Sequence, residues 1–297
     1  MAIQLARPHN QKRPVTIQVS EAKTMTATRQ EKFNVFRALH QRPGAFVIPN
    51  PWDAGSAKIL TALAFEALAT TSAGCAFSQG HLDSAPEITR EVILQNAKEI
   101  VEATTLPVSS DLQNGFGHEP KICAETIRLA AKTGLVGGSI EDSTGEAKNP
   151  IYDLQHATER VAAAAEAAHS SNFLLTARAE NFLHGRPDLD DTIRRLQSFA
   201  KAGADVLYAP GLTSLDAIRA VCASVSKPVN VLMGLTGTTF SVEELAAVGV
   251  KRISVGGSFV RAALGALVRA AREVKEKGTF TYATDALPSA EVKRYLA

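Results

Sequence analysis

The 297 residues are enough for a large core and lie within the range of a single α/β barrel. With 32 Lys and Arg against 30 Asp and Glu, the formal net charge is only +2, which gives no support for a nucleic-acid or membrane partner. The 3 cysteines have no CxxC spacing, and no apolar run is long enough to span a membrane. Because no signal-peptide core is visible either, we expect a cytoplasmic protein.

Residues 1–27 are polar and basic without sustained periodicity, and we predict a flexible extension there. We expect residues 28–297 to form a single α/β barrel domain with a C-terminal helical tail. The first predicted helix follows Thr28 and carries Phe33, Phe36 and Leu39 on one face.

Short apolar runs bounded by turn residues predict eight strands, at 45–48, 66–71, 107–111, 136–141, 173–177, 205–208, 228–232 and 252–255. Helical patterns follow them, beginning at 54 and covering 89–104, 122–131, 154–169, 190–203, 215–225, 241–248 and 258–277. Residues 72–84 are predicted to be a long loop, and 289–296 a last amphipathic stretch. The alternation predicts a (β/α)8 TIM-type barrel. An open doubly wound sheet rarely needs eight units, and no GxGxxG follows the first strand.

Carboxylates end two consecutive predicted strands, at Asp111 and at Glu141. A right-handed crossover makes these strands parallel neighbours, so both acids are expected at one edge of the sheet. Paired carboxylates at that edge indicate a site for a divalent cation with oxygen ligands. The alternative is that each acid caps a helix or faces water.

The other predicted strand ends carry a set of small, polar and charged residues: Asn50, Trp52 and Asp53; Thr71, Ser72, Ala73 and Gly74; Gln113; Arg178 and Glu180; Asn230; and Gly256, Gly257 and Ser258. The fork of Arg178 suits a carboxylate or phosphonate, unless it pairs internally with Glu180 or Glu141. Asp53 is expected to cap the following helix rather than to act in the site. The two glycines could bind phosphate or simply form a tight turn.

Several segments in this order resemble the isocitrate lyase/phosphoenolpyruvate mutase superfamily: NPWDAGSA, TTSAGCAFSQGHLD, SSDLQNGFG, GGSIED and TARAENF. The resemblance runs from about residue 32 to about residue 277. It implies a barrel whose last helix is exchanged between the subunits of a homodimer or homotetramer. It also implies a Mg²⁺-dependent reaction (with Mn²⁺ as the other candidate metal) that makes or breaks a C–C or P–C bond beside an α-oxo acid through an enolate.

The resemblance implies that Asp111 is the direct metal ligand, and that Asp83 and Glu141 hold metal-bound waters. The family usually has DxD at the third strand, but Gln113 stands here in place of the second acid. We include Gln113 among the metal-site residues, although a neutral amide should weaken metal affinity or alter hydration.

By the same resemblance, Arg178 binds the carboxylate or phosphonate of a small anionic substrate. The backbone N–H groups of Ser72 and Ala73 hold the enolate oxygen or a carboxylate. Asn230 belongs to the catalytic set at the strand ends. Lys148 and Asn149 lie in the loop after the fourth strand, which we predict to be a mobile lid over residues 143–153.

Two departures separate this chain from the isocitrate and methylisocitrate lyases. Their KKCGH-type loop, whose Cys is the acid-base catalyst, is replaced here by EDSTGEAKNPIYD, and no acid follows the sixth strand in YAPGL. We therefore expect C–C cleavage or decarboxylation of an oxaloacetate-like acid by a subgroup without that cysteine. The alternatives are P–C chemistry of the phosphoenolpyruvate mutase or phosphonopyruvate hydrolase type, which the pair Lys148-Asn149 favours, and a non-catalytic barrel that binds a small acid.

Overall fold

The computed structural model describes residues 27–83, 85–235 and 239–297. The predicted extension over 1–27 therefore lies outside the described residues, apart from residue 27. The single domain over 28–297 stays a prediction.

Eight parallel strands form one sheet in the order β1-β8-β7-β6-β5-β4-β3-β2. They are β1 (Phe46–Ile48), β2 (Leu68–Ala69), β3 (Val108–Asp111), β4 (Gly137–Glu141), β5 (Leu174–Arg178), β6 (Val206–Tyr208), β7 (Val229–Leu232) and β8 (Arg252–Ser254). The N–H of Ala69 donates to the carbonyl of Pro49 at 3.0 Å, which brings β2 back to β1. The predicted TIM-type barrel is confirmed.

The helices are α1 (Arg29–Gln41), α2 (Ala54–Ala62), α3 (Ser72–Ser78), α4 (Arg90–Glu102), α5 (Pro120–Lys132), α6 (Leu154–His169), α7 (Leu189–Lys201), α8 (Leu215–Ser224), α9 (Val242–Ala247), α10 (Ser258–Lys277) and α11 (Ser289–Leu296), with a 3₁₀ turn at Thr281–Thr284. In the described residues, β1 and each strand from β3 to β7 are followed by one helix before the next strand, and β8 is followed by α10 and α11. After β2 the chain forms α3 and then α4. Along the described residues, no helix is long and apolar enough to cross a bilayer.

The prediction of a continuous loop over 72–84 is wrong for its first half, which is α3. The hydroxyl of Thr71 accepts from the N–H of Gly74 at 3.2 Å and caps this helix. Cys75 and Ala76 are fully buried in the main core. The segment has no large apolar residue at helical spacing before Phe77, so tertiary burial of small side chains decides its conformation.

Helix α1 closes the amino-terminal end of the barrel. Phe36 and Leu39 are buried together with Phe46, Val136 and Leu174 in a separate apolar cluster. A Cβ on Gly137 would lie 2.7 Å from the ring of Phe36, so the helix is packed tightly against β4. The interior of the barrel is therefore closed below and can open only at the carboxyl ends of the strands.

Candidate active site

A cavity of about 180 Å³ lies in the mouth and upper interior of the barrel. It is lined by eleven of the residues that the sequence placed at strand ends or in the metal site: Asn50, Thr71, Ser72, Ala73, Asp83, Asp111, Glu141, Arg178, Asn230, Gly256 and Gly257. Drug-sized ligands need about 300 Å³ or more, so this space suits a smaller molecule.

Arg178, the last residue of β5, lies at the centre of this group. Its Nε donates to Glu180 Oε1 at 2.7 Å, and its Nη1 lies 3.0 Å from Glu141 Oε1 and 3.4 Å from Asp111 Oδ1. The guanidinium also stands 5.0 Å from the ring centre of Tyr208. The internal ion pairs that the sequence left as an alternative are therefore present. Arg178 Nη2 has no hydrogen-bond acceptor within the described part of the chain, so part of the fork can still bind an anion.

Asp111 is held by the start of α3 and by its own loop. Its Oδ2 accepts from the hydroxyl of Ser72 at 2.8 Å and from the N–H of Ser72 at 3.3 Å. Its Oδ1 accepts from the N–H of Gln113 at 3.3 Å. The carboxylate therefore has a defined orientation at the floor of the mouth.

The acids around Arg178 crowd one another electrostatically. Burial, together with the charges of Glu180 and Asp111, raises the pKa of Glu141 to about 8 against the opposing effect of Arg178. Burial and the charge of Asp111 also raise the pKa of Asp83, which stands at the exposed rim. Burial lowers the pKa of Arg178, but Glu141, Glu180 and Asp111 raise it well above its ordinary value. Several carboxylates share one cation here, so a second positive charge would be stabilised.

These residues fit a hard divalent cation with few protein ligands. No group of three or more His, Cys, Asp or Glu side chains is arranged to hold a metal ion in the described ranges. Mg²⁺ does not need such a group, because it keeps several waters and binds through one or two carboxylates. Asp111 has the chemistry for direct contact, and Asp83 and Glu141 for contact through water. Mn²⁺ has the same preference for carboxylate oxygen and water.

Gln113 does not line the cavity. Its Nε2 donates to the backbone carbonyl of Asp83 at 3.4 Å, and its backbone has φ of 48°. This left-handed turn directs the side chain to the neighbouring loop. Its assignment to the metal site stays a prediction, and in this structure it connects the two loops that carry Asp83 and Asp111.

Lys148 and Asn149 also lie away from the cavity. They are at the exposed tip of a short hairpin, in which Ser143 and Ile151 form an antiparallel bridge and the N–H of Thr144 donates to Pro150 O at 2.9 Å. A catalytic role for either residue requires the hairpin to move. Both assignments stay predictions.

Three other strand-end residues have structural partners. Asp53 caps α2 by accepting from the N–H of Ser56 at 2.6 Å, as expected. The Oδ1 of Asn50 accepts from the N–H of Val255 and, at 2.8 Å, of Gly256. Because the Gly256 donor is already used, the structure gives no support for phosphate binding at the glycine pair.

Tyr208 and Arg252 are among the residues that line the cavity but were not identified from the sequence. Asn230 contacts Arg252, because its Oδ1 accepts from Arg252 Nε at 2.8 Å. Its Nδ2 donates to Ser254 Oγ at 3.0 Å. The signal for Arg252 was a charged residue at the start of an otherwise apolar strand.

Comparison with known proteins assigns the family. The sequence profile described as phosphoenolpyruvate phosphomutase matches residues 36–275, most of the chain. The chain belongs to the phosphoenolpyruvate phosphomutase family. This family lies within the isocitrate lyase/phosphoenolpyruvate mutase superfamily, and the resemblance inferred from the motifs is confirmed.

Relatives in this family include proteins of known and unknown activity. A crystal structure of a lyase/mutase candidate from Burkholderia cenocepacia is 56% identical, covers 91% of this chain and 96% of its own, and has a TM-score of 0.88. An uncharacterized protein of Mycobacterium tuberculosis is 31% identical, over 81% of this chain and 89% of the relative. The 2-methylisocitrate lyase of Shewanella oneidensis is 28% identical, over 78% of this chain and 82% of the relative.

Proposed function

We propose that this protein is a Mg²⁺-dependent enzyme that cleaves or rearranges a bond beside the oxo or hydroxyl carbon of a small carboxylic acid through an enolate. The preferred reaction is C–C cleavage, of the oxaloacetate decarboxylase type or that of a related lyase. The observation that carries the proposal is the grouping of Arg178, Asp111 and Glu141 with Ser72 and Ala73 in one small cavity.

When bound, Mg²⁺ would supply positive charge for the oxygen on which negative charge develops. Arg178 would bind a substrate carboxylate through the part of its fork that the acids do not use. The N–H groups of Ser72 and Ala73 would donate to the developing oxyanion. The N–H of Ser72 now donates to Asp111 over 3.3 Å, a long bond that can be exchanged for a substrate oxygen.

The proposal does not use a cysteine as acid-base catalyst. Cys75, on α3 beside the cavity, is fully buried, and burial and the charge of Asp83 raise its pKa to about 11. A thiol with that pKa is protonated at neutral pH and is a poor base. This agrees with the absence of a KKCGH-type loop.

P–C chemistry is the second candidate. It is favoured by the matching family profile and by the pair Lys148-Asn149 in the hairpin that follows β4. A barrel that binds a small acid without turnover is the third, because Arg178 Nη1 stands between Asp111 and Glu141, where a cation would neutralise them.

Turnover measurements separate these candidates. Oxaloacetate, phosphonopyruvate and 2-methylisocitrate would each be tested with Mg²⁺, with Mn²⁺ and with chelator. We expect metal-dependent turnover that is fastest with oxaloacetate. Preferred turnover of phosphonopyruvate would replace the first candidate by the second, and absence of turnover with every acid would favour the third.

Asp111→Asn is expected to reduce kcat/KM by about a hundredfold or more, since a charged metal ligand contributes several kcal/mol to transition-state stabilisation. Asp190→Asn, an exposed acid of α7, is the matched control and should keep wild-type activity. Thermal melts would show that both variants are folded. Unchanged activity and metal dependence in Asp111→Asn would contradict the assignment.

A further inference from the structure

The interior of the barrel beneath Arg178 is polar. The centre of such barrels is usually filled by bulky branched apolar side chains. Here the cavity extends down to Ser109, Ser139, Ser254 and Arg252. The small hydroxyl side chains leave space above Arg252 instead of covering it.

Arg252 is 95% buried, and its contacts are all to neutral groups. Its Nε donates to Asn230 Oδ1 at 2.8 Å, its Nη2 to Thr176 Oγ1 at 2.9 Å, and its Nη1 lies 3.4 Å from His40 Nε2. No Asp or Glu from the described stretches forms an ion pair with it. A guanidinium has five N–H donors, so two remain for another acceptor.

Within the described residues, Arg160 is the other buried arginine without a counter-ion, but its Nη atoms donate to three backbone carbonyls. Arg178 has three carboxylates, and Arg195 pairs with Asp142 and Asp191. Burial lowers the pKa of Arg252 to about 10, so the side chain remains a cation at neutral pH. Burying an unpaired charge is costly, and a bound anion would offset that cost.

An anion can reach Arg252 only through the catalytic cavity, because Phe36 and His40 of α1 close the barrel below. Thr176, which binds Arg252, lies two residues before Arg178 on β5. Side chains two residues apart on a strand share a face and are about 6–7 Å apart. Arg178 and Arg252 both line the cavity of about 180 Å³, so one short molecule held there can contact both guanidinium groups.

We propose that Arg252 is a second anion-binding site, which holds the far carboxylate of a short dicarboxylate whose other carboxylate binds Arg178. Asn230 and Thr176 orient the guanidinium, and the hydroxyls of Ser109, Ser139 and Ser254 surround the carboxylate. A cavity of about 180 Å³ suits a short diacid, with a hydrogen bond at each end. This inference rests on the proposed function only in naming the acid as the substrate.

Calorimetric binding of two unreactive acids tests the site without turnover. Succinate carries both carboxylates, and succinamate replaces one of them by a neutral amide. Wild-type protein is expected to bind succinate at least about tenfold more tightly than succinamate, because a hydrogen bond between charged groups contributes that much to affinity. Arg252→Gln should lose this preference and bind both acids about equally, and Arg252→Lys should keep part of it.

Arg178→Gln should weaken binding of both acids, which separates the two sites. Arg128→Gln, at an exposed position of α5, is the control and should behave as wild type. Equal binding of both acids by wild-type protein would overturn the proposal. So would an unchanged preference for succinate in Arg252→Gln. If that variant does not fold, the wild-type comparison and Arg252→Lys decide. Failure of turnover with a retained preference would refute the proposed reaction and leave the anion site standing.

Discussion

Arg178 has a structural and a binding role in one side chain. Its Nε and Nη1 serve Glu180, Glu141 and Asp111, all within 3.4 Å, and the ring of Tyr208 covers its guanidinium. Removing one member of such a group leaves the others unpaired in a poorly solvated space. A substitution here is therefore expected to affect both stability and binding.

Arg178→Lys keeps the charge but loses the planar fork. One ammonium cannot meet Glu180 and Glu141 and also grip a carboxylate at two points. We expect KM to rise by about tenfold or more, together with a lower melting temperature. Arg194→Lys, an exposed arginine paired with Asp191, is the control and should leave both nearly unchanged. A lower melting temperature with unchanged kinetic constants would show that Arg178 is purely structural.

Helix α1 brings a buried histidine to the floor of the barrel. His40 Nδ1 contacts Phe36 O at 2.8 Å, and Nε2 faces Arg252. Burial, together with the charge of Arg252, lowers the pKa of His40 from 6.5 to about 3. The ring is neutral in the folded protein, so Nδ1 donates to Phe36 and Nε2 accepts from Arg252.

His40 is expected to make the fold sensitive to acid. Below pH 6.5 the unfolded chain takes up a proton on this ring and the folded chain does not, so stability falls as the pH decreases towards 3. Between pH 6.5 and 5 the loss from this group is about 2 kcal/mol. His40→Gln should lose this component, which urea unfolding at several pH values would measure. His169→Gln, at a more exposed site, is the control. Equal acid sensitivity in wild type and His40→Gln would contradict the prediction.

The hairpin after β4 is anchored at both ends. Asp142 accepts from the N–H of Glu180 at 2.8 Å and from Arg195 Nη1 at 2.9 Å. The same Nη1 donates to Tyr152 O at 2.8 Å, so α7 holds the residue before the hairpin and the residue after it. Motion of a lid would therefore be confined to the exposed segment between Ser143 and Ile151.

Limited digestion with trypsin tests the lid, because Lys148 stands at the exposed tip. We expect rapid cleavage after Lys148 in the free protein and several-fold slower cleavage with Mg²⁺ and oxalate, since a site that forms an enolate must exclude water. Lys148→Gln should remove the cleavage and identify the band. Equal rates with and without the ligands would show that the hairpin does not close over the cavity.

At the scale of the whole molecule, the last long helix is poorly covered by its own chain. Val260 is its only buried residue, and five large apolar side chains of α10 are exposed: Phe259, Leu264, Leu267, Val268 and Val274. Exposed apolar surface of this extent is typical of an interface. The exchange of this helix between subunits stays a prediction, as does the homodimer or homotetramer that would contain it.

Leu267→Glu is expected to dissociate the assembly. The side chain of Leu267 is 64% exposed in the single chain, and the variant would place a charge on apolar surface that a second subunit would bury. Light scattering coupled to size exclusion would measure the mass. We expect two or four chains for the wild type and one chain for Leu267→Glu. Val35→Glu, an exposed apolar position of α1, is the control and should keep the wild-type mass. A monomeric wild type, or an intact assembly in Leu267→Glu, would contradict the prediction.

The barrel and the positions of the principal acids could be determined from the sequence by itself. The positions of strands and helices can be predicted from local periodicity. Parallel strands bring their carboxyl ends to one edge of the sheet regardless of loop conformation. This placed Asp111, Glu141 and Arg178 in one cavity, as the structure has them. The family motifs added Asp83, which no strand pattern indicated.

Other features depend on contacts that have no local signal. Arg252 of β8 reaches Thr176 of β5 across the barrel interior, and only closure of the sheet brings these two residues together. A left-handed backbone at Gln113 places its side chain against the carbonyl of Asp83, a contact that the family motif at this position did not indicate. Which side chains meet inside the barrel was decided by the tertiary structure, because the stagger of eight strands sets it rather than the order of residues along any one of them.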